Sequence, residues 1–253
     1  MSSKIGLVME GGAMRGMFTA GVIDVFMENN INFDGAIGVS AGATFGCNLK
    51  SKQIGRVIRY NKRFCKDKRY CSVWSLIKTG DLYGADFCYS ELPKKLDLYD
   101  YKTYAENPME FYVVASDCKT GKPICKELKT CDDNDLTWMR ASASMPLVSK
   151  FVEIDGYKLL DGGMTSSIPL KLFEDLGYNK NVVMAVWSGY DDNRKLSSTD
   201  SGIHKDIWID TMEGYFEEKE TSWYDVPNNI VGVLVNPLTG ELAKKEDEKK
   251  KLF

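Results

Sequence analysis

Short apolar runs alternate with stretches in which apolar residues recur every three or four positions, and these two periods predict strands and helices in turn. Residues 5–9 read as a buried strand. Residues 13–30 follow as a helix with Met17, Ala20, Gly21, Val25 and Met27 on one side. A second strand is expected at 33–39 and a helix of mostly small residues at 41–49. Residues 53–65 predict a basic amphipathic helix with Arg56, Arg59, Lys62 and Arg63 on its polar side, either a solvated face or a contact for anionic lipid headgroups. The aromatic-rich stretch 72–89 reads as core or as a lid or substrate wall. Strands at 110–116 and 123–128 are joined through the turn Lys119-Thr120-Gly121. A helix at 135–144 is capped by Asp132 or Asn134 and stopped by Pro146. Residues 152–154 and 157–160 form a hairpin across Asp155-Gly156, a dipeptide suited to a tight turn. A helix at 169–176 starts on Pro169 and ends at Gly177, and a strand is expected at 181–187. Strands alternating with helices predict an α/β fold with a mainly parallel sheet covered on both faces.

Composition narrows the function classes. A chain of 253 residues can bury one sizeable core with at most an appendage. A net charge of −3 and a pI near 5.4 argue against nucleic acid as a partner. No apolar run approaches the ~20 residues needed to span a bilayer. The sequence passes from Met1-Ser2-Ser3-Lys4 directly into a strand, so no leader peptide is expected. Seven cysteines without a Cys-x-x-Cys predict reduced thiols in a cytoplasmic protein. The spacing of Cys118, Cys125 and Cys131 fits no common zinc pattern, and neither a metal nor a cofactor is expected.

Three strand-to-helix corners carry the candidate chemistry. In Gly38-Val39-Ser40-Ala41-Gly42 a serine sits where an apolar strand meets a helix, so its hydroxyl projects clear of the backbone. The helix that follows directs its positive end at the same spot, which favours a developing oxyanion. Upstream stands Glu10-Gly11-Gly12-Ala13-Met14-Arg15-Gly16, and downstream Asp161-Gly162-Gly163. A serine hydroxyl needs a base within hydrogen-bond reach. The chain holds one histidine, His204, in a polar stretch that reads as a loop. Either His204 serves, or the Asp161 carboxylate acts alone.

Together these motifs resemble the patatin-like family of lipid acyl hydrolases, in their order and spacing, over residues 1 to about 182. The resemblance implies a three-layer α/β fold and a Ser–Asp dyad of Ser40 and Asp161. It implies a nucleophile elbow flanked by Gly38 and Gly42, and an Asp-Gly-Gly corner completed by Gly162 and Gly163. Gly11, Gly12, Ala13, Arg15 and Gly16 would form the oxyanion loop through backbone N–H groups. Arg15 would either aid the oxyanion or brace the loop. Ala13 departs from the family, where many members carry a third glycine. The segment Arg140-Ala141-Ser142-Ala143-Ser144-Met145-Pro146 is also similar to one that packs beside the site in that family. The implied substrate is a lipid carboxylic ester met at a membrane surface by a cytoplasmic, peripherally associated enzyme. The sequence indicates no oligomeric state.

Beyond residue 183 the patatin pattern stops. Residues 183–193 and 228–242 resemble the end of a penicillin-binding protein transpeptidase domain, which divides the chain into 1–187 and an atypical tail, 188–253. Four rival readings stand beside the main one. A penicillin-binding enzyme would use Ser75-Leu76-Ile77-Lys78 and Lys119-Thr120-Gly121, though no suitable Ser-x-Asn lies between them. An α/β-hydrolase would use Ser40, Asp161 and His204, but reaches its nucleophile only after several strands. A dinucleotide site would need an acid at a strand's carboxyl end, whereas Asp34 precedes its strand. The fourth is an inactive scaffold that keeps the fold and binds lipid or protein partners.

Overall fold

The structure is a computed structural model that describes residues 4–178, 234–235 and 251–252. The chain divides into two compact units, Met1–Asn181 and Val182–Phe253; the sequence pattern puts the boundary at 187. In the second unit the described residues form one short antiparallel pair, Leu234–Val235 with Lys251–Leu252. The strand expected at 181–187, His204 and nearly all of the tail segments lie outside the described residues.

The first unit is built on a sheet of six strands: β1 (Gly6–Met9), β2 (Gly35–Val39), β3 (Glu110–Asp117), β4 (Pro123–Glu127), β5 (Val152–Ile154) and β6 (Tyr157–Asp161). Their order is β1-β2-β3-β6-β5, with β4 paired to β3. The α/β layering is as expected, and the sheet is mixed. β1, β2 and β3 run parallel, whereas β4, β6 and β5 join antiparallel. Short turns join the antiparallel neighbours β3–β4 and β5–β6. A parallel return needs a long crossover. Helix α1 (Gly16–Glu28) provides it between β1 and β2. Between β2 and β3 lie α2 (Ala41–Lys50), α3 (Arg56–Phe64), α4 (Val73–Thr79), a π-helical segment (Phe87–Leu96) and α5 (Tyr101–Glu106). The β5–β6 hairpin turns on Asp155 and Gly156, with φ of 51° and 80°, the left-handed pair that a two-residue hairpin requires.

Side chains alternate across β3 as the pleat dictates. Phe111, Val113 and Ala115 pack with Met9, Ile23, Ala43 and Trp138, under α1, α2 and α6 (Asp133–Ser142). Val114 packs on the opposite face with Ile37, Val39, Phe173 and Tyr178, where α7 (Leu170–Asp175) covers the sheet. A third cluster joins α3 to the π-helical segment through Tyr60, Phe64, Tyr70 and Phe87. Helices thus cover both faces, giving three layers.

Two details differ from the sequence pattern. The buried stripe of α1 is Gly16, Ala20, Ile23 and Met27, while Val25 is exposed and Gly21 faces open space. The helix is anchored where Gly16 lies against Ala41 and Phe45 of α2, and that contact sets its rotation. Arg56 is buried instead of solvated. Its Nη1 donates to Asn48 Oδ1 (3.1 Å) and its Nη2 to the Asp97 carbonyl (2.6 Å). Its Nε lies 3.2 Å from Asp97 Oδ1 but is too misaligned for a hydrogen bond.

Trp138 joins α6 to the sheet and to the hairpin, where its indole N–H donates to Asp155 Oδ2 at 3.0 Å. Truncating a fully buried indole leaves a cavity and an unused acceptor. Trp138→Ala is expected to lower unfolding stability by ~3–5 kcal/mol, measured by urea denaturation; a change within experimental error would contradict the packing described.

Candidate active site

β2 ends at Val39, and the chain turns at Ser40, whose φ of 54° and ψ of −118° place a non-glycine residue in a strained region, into the N-terminus of α2. The glycines around it are demanded by space. A Cβ on Gly42 would lie 2.6 Å from the Glu10 carbonyl oxygen, and one on Gly38 would lie 2.6 Å from Ala43 N. The end of β1 therefore passes directly beneath the elbow, and Gly11 faces Ser40 closely enough that a Cβ there would sit 3.0 Å from Ser40 Cβ.

Strand register brings Asp161 to the same place. β4 occupies one edge of β3 along Tyr112–Ser116. On the other edge β2 pairs up to Val39 opposite Val114, and β6 takes over with Asp161 opposite Ala115. Val39 and Asp161 are thus consecutive partners of β3. Ser40 is the next residue, and its hydroxyl lies near enough to the Asp161 carboxylate to favour the charged form. Both residues are buried. Burial raises the Asp161 pKa above the usual carboxylate range, only partly offset by the Ser40 hydroxyl and by the Gly163 N–H, which donates to Oδ1 at 2.8 Å.

The end of α6 and the turn after it fix the two backbones. The Ser40 N–H donates to Ser142 Oγ (3.0 Å), and the Ser142 hydroxyl donates on to the Val114 carbonyl (2.6 Å). The Asp161 N–H donates to the Ser144 carbonyl (2.8 Å). Ser116 Oγ donates to the Asp161 carbonyl and lies 2.8 Å from Thr165 Oγ1. The family resemblance implies that the 140–146 segment packs beside the site, but nothing in the sequence assigns a task to Ser142, Ser144, Ser116 or Thr165. Isolated small hydroxyl residues carry no pattern that would single them out.

The glycine-rich turn lies alongside. Gly12 has φ 155° and Ala13 φ 47°, so an alanine adopts the left-handed conformation that glycine takes more readily. Arg15 is exposed, its N–H donates to the Gly12 carbonyl at 2.9 Å, and its side chain lies next to Gly12. Gly162 is buried against the Val114 carbonyl, so the Asp-Gly-Gly corner packs tightly on β3.

A cavity of about 110 Å³ opens onto Ser40 and Ala13. Its wall includes Ser40 and, on α2, Ala41, Thr44 and Cys47, a span of ~9 Å along the helix. Tyr83, Tyr89, Leu92 and Met139 add to its mostly apolar lining. Burial holds Tyr89 in its neutral phenol form. Arg56 and Tyr99 also line it, with the guanidinium 5.0 Å from the Tyr99 ring centre and its charge matched by Asp97.

Other candidates are dispersed. Ser75 is buried with its hydroxyl donating to the Asp81 carbonyl, while Lys78 faces solvent. Thr120 of the Lys-Thr-Gly run sits in the β3–β4 turn, bonded to Asp117. Asp34 accepts the Ile5 N–H at 2.7 Å, a structural task. Cys125 and Cys131 pack on opposite faces of the sheet, and among the described residues no group of three His, Cys, Asp or Glu side chains could hold a metal ion.

Residues 7–173 match the family model described as Patatin-like phospholipase. The chain belongs to this family. Among its relatives, the Uncharacterized protein YjjU of Escherichia coli is 31% identical over 182 residues, covering 66% of this chain and 48% of that protein. Lysophospholipase nte1 of Aspergillus oryzae is 28% identical over 201 residues, 78% of this chain and 13% of that protein. The patatin-like chain therefore spans less than half the length of either relative. A 66-residue match, 32% identical, to Penicillin-binding protein 2D of Bacillus subtilis covers 26% of this chain and 10% of that protein, too small a share to assign the tail to a family.

The packing at the elbow makes opposite forecasts for two glycines of the patatin-like unit. Gly42→Ala should lose ~1–3 kcal/mol, because the new methyl meets backbone carbonyls that cannot retreat. Gly21→Ala, in an α1 position with nothing nearby, should gain ~1 kcal/mol. Urea unfolding of the two variants checks both signs.

Proposed function

We propose that the patatin-like unit is a serine acyl hydrolase that cleaves carboxylic ester bonds of lipids through a Ser40–Asp161 dyad. The observation that carries this reading is the register of β3, which brings the strained Ser40 elbow, in the wall of an apolar cavity, next to the buried Asp161 carboxylate. The family assignment and the name of the Aspergillus relative support a lipid ester as substrate.

Asp161 accepts the hydroxyl proton as Ser40 Oγ attacks the acyl carbon. The carbonyl oxygen becomes a tetrahedral oxyanion, held by backbone N–H groups of the Gly11–Ala13 turn and by the positive end of α2. Protonated Asp161 returns the proton to the departing alkoxide, leaving an acyl-Ser40 ester. Water, deprotonated by the same carboxylate, then releases the acid. The acyl chain lies in the cavity beside α2, whose apolar walls exclude water from the ester. A buried carboxylate with a raised pKa is a stronger base than a solvated one, which suits it to act without an imidazole. The reading requires no metal, no cofactor and no contribution from His204.

A fluorophosphonate probe should label the purified chain at Ser40, located by peptide mass spectrometry. Ser40→Ala should abolish labelling and lower ester turnover by at least ~10³-fold while the protein stays folded. Labelling elsewhere, or retained turnover in Ser40→Ala, overturns the assignment. Asp161→Asn should be comparably inactive, whereas His204→Ala should turn over within about twofold of wild type if the base is a carboxylate.

The pH profile gives an independent check. The base must be ionised, so kcat/KM should fall on the acid side through the pKa of Asp161. Burial raises that value, placing the limb above the ~3.9 of a free aspartate. A limb at or below the free value would show that Asp161 is not the titrating base.

A further inference from the structure

The fold leaves a group of large apolar side chains in solvent on segments next in sequence to residues of the cavity wall, and the proposed chemistry at Ser40 does not use them. On α4, Val73, Trp74 and Ile77 are 66%, 48% and 79% exposed. Their spacing places all three within about 100° of arc on one helix face. Leu147 is 98% exposed. The two segments are tied together, since the Leu82 N–H donates to the Val148 carbonyl and the Lys150 N–H to Asp81 Oδ1, each at 2.8 Å. Tyr83, which follows Leu82, and Met145, two residues before Leu147, line the cavity. Exposed Met14 adjoins Ala13, and exposed Met164 adjoins Gly163. Single exposed apolar residues are ordinary, but a group of them on segments that lead into an apolar cavity marks a surface that is covered in use.

Charge indicates the cover. From Lys62 to Lys78 the chain carries Lys62, Arg63, Lys66, Lys68, Arg69 and Lys78 against a single acid, Asp67, in a protein of net charge −3. Arg69 is held by Asp67 and Glu91. Lys68 and Lys78 are exposed, and neither makes an ion pair with a described residue. Lys78 follows Ile77 at the border of the apolar face, and exposed Lys150 lies three residues beyond Leu147. An apolar face bearing a tryptophan and flanked by lysines matches the headgroup region of an anionic bilayer, where the rings bury their edges and the ammonium groups meet phosphate.

We infer that α4 and the Leu147 turn are the surface by which this chain docks on an anionic lipid bilayer. Trp74, Ile77 and Leu147 enter the headgroup layer, with Lys68, Lys78 and Lys150 on anionic headgroups. Docking in this way sets the cavity rim against the membrane, so a lipid ester passes from bilayer to Ser40 without crossing water. The choice of lipid as the occupant rests on the hydrolase reading, but the binding measurement does not require turnover.

The test uses the full chain and its Ser40→Ala variant with sedimenting vesicles of phosphatidylcholine, alone or mixed with phosphatidylglycerol. Both proteins should partition onto the mixed vesicles and far less onto phosphatidylcholine alone. Trp74→Ser with Ile77→Ser should weaken partitioning at least about tenfold, and Lys68→Glu with Lys78→Glu by a similar factor, given the contribution of each cation near such a surface. Both double variants should hydrolyse a monomeric, water-soluble ester within about twofold of wild type, as exposed substitutions seldom disturb the fold. Should the apolar pair lose that turnover through misfolding, the charge-reversed pair decides. Partitioning unchanged in the variants, or indifferent to phosphatidylglycerol, overturns the inference. So does lipid-free self-association that the apolar pair abolishes, which would make the occupant a second copy. Vesicle binding without fluorophosphonate labelling would defeat the hydrolase reading and leave the docking surface standing; labelling without binding would do the reverse.

Discussion

One edge of β3 organises the site. It is shared end to end by two strands of opposite direction, β2 as far as Val39 and β6 from Asp161 onward. Because both ladders are bonded to the same strand, main-chain hydrogen bonds set the spacing between Val39 and Asp161, and so bring Ser40 close to Asp161. The Ser142 and Ser144 contacts then fix the two backbones from the α6 side. Moving either residue would strain a ladder whose β2 and β3 strands are buried on both faces.

That rigidity sustains two unfavourable local states. Ser40 occupies a left-handed φ that costs a non-glycine residue of order 1–3 kcal/mol, and Asp161 is an acid buried with few donors. Both are tolerated because the surrounding packing leaves no relaxed alternative. Glycines 38 and 42 admit neighbouring backbone where any side chain would collide, and Gly162 packs on β3. A strained serine presents its hydroxyl outward, and a poorly solvated carboxylate attracts protons. The destabilising features are the ones on which the proposed nucleophilic chemistry relies.

The connection between β2 and β3 has a second consequence. It is long enough to hold three helices before the π-helical segment and α5, and its first two helices contribute to the cavity wall, while α4 carries apolar residues that stay unburied. Core, cavity and exposed patch are successive parts of one crossover. The buried Arg56–Asp97 pair stiffens it: Asp97 also receives two hydrogen bonds of 2.8 Å from Arg59.

Element types, the three glycine-bearing corners and the family were legible in the sequence because each depends on local constraints: period, turn chemistry and the steric need for glycine. The Asp155-Gly156 hairpin, the Asp132 cap and the helix closing at Gly177 follow from short-range geometry alone. Long-range geometry was not legible. No local rule reveals that Arg56 turns inward to meet Asp97, that Gly16 sets the rotation of α1 and leaves Val25 exposed, or that Ser142 and Ser144 secure the two ends of the site. The sequence by itself determined which residues could turn, nucleate helices and bear reactive groups. The tertiary structure alone decided which of them meet, because the partner of a strand edge or a buried charge lies many residues away and is chosen by register and packing.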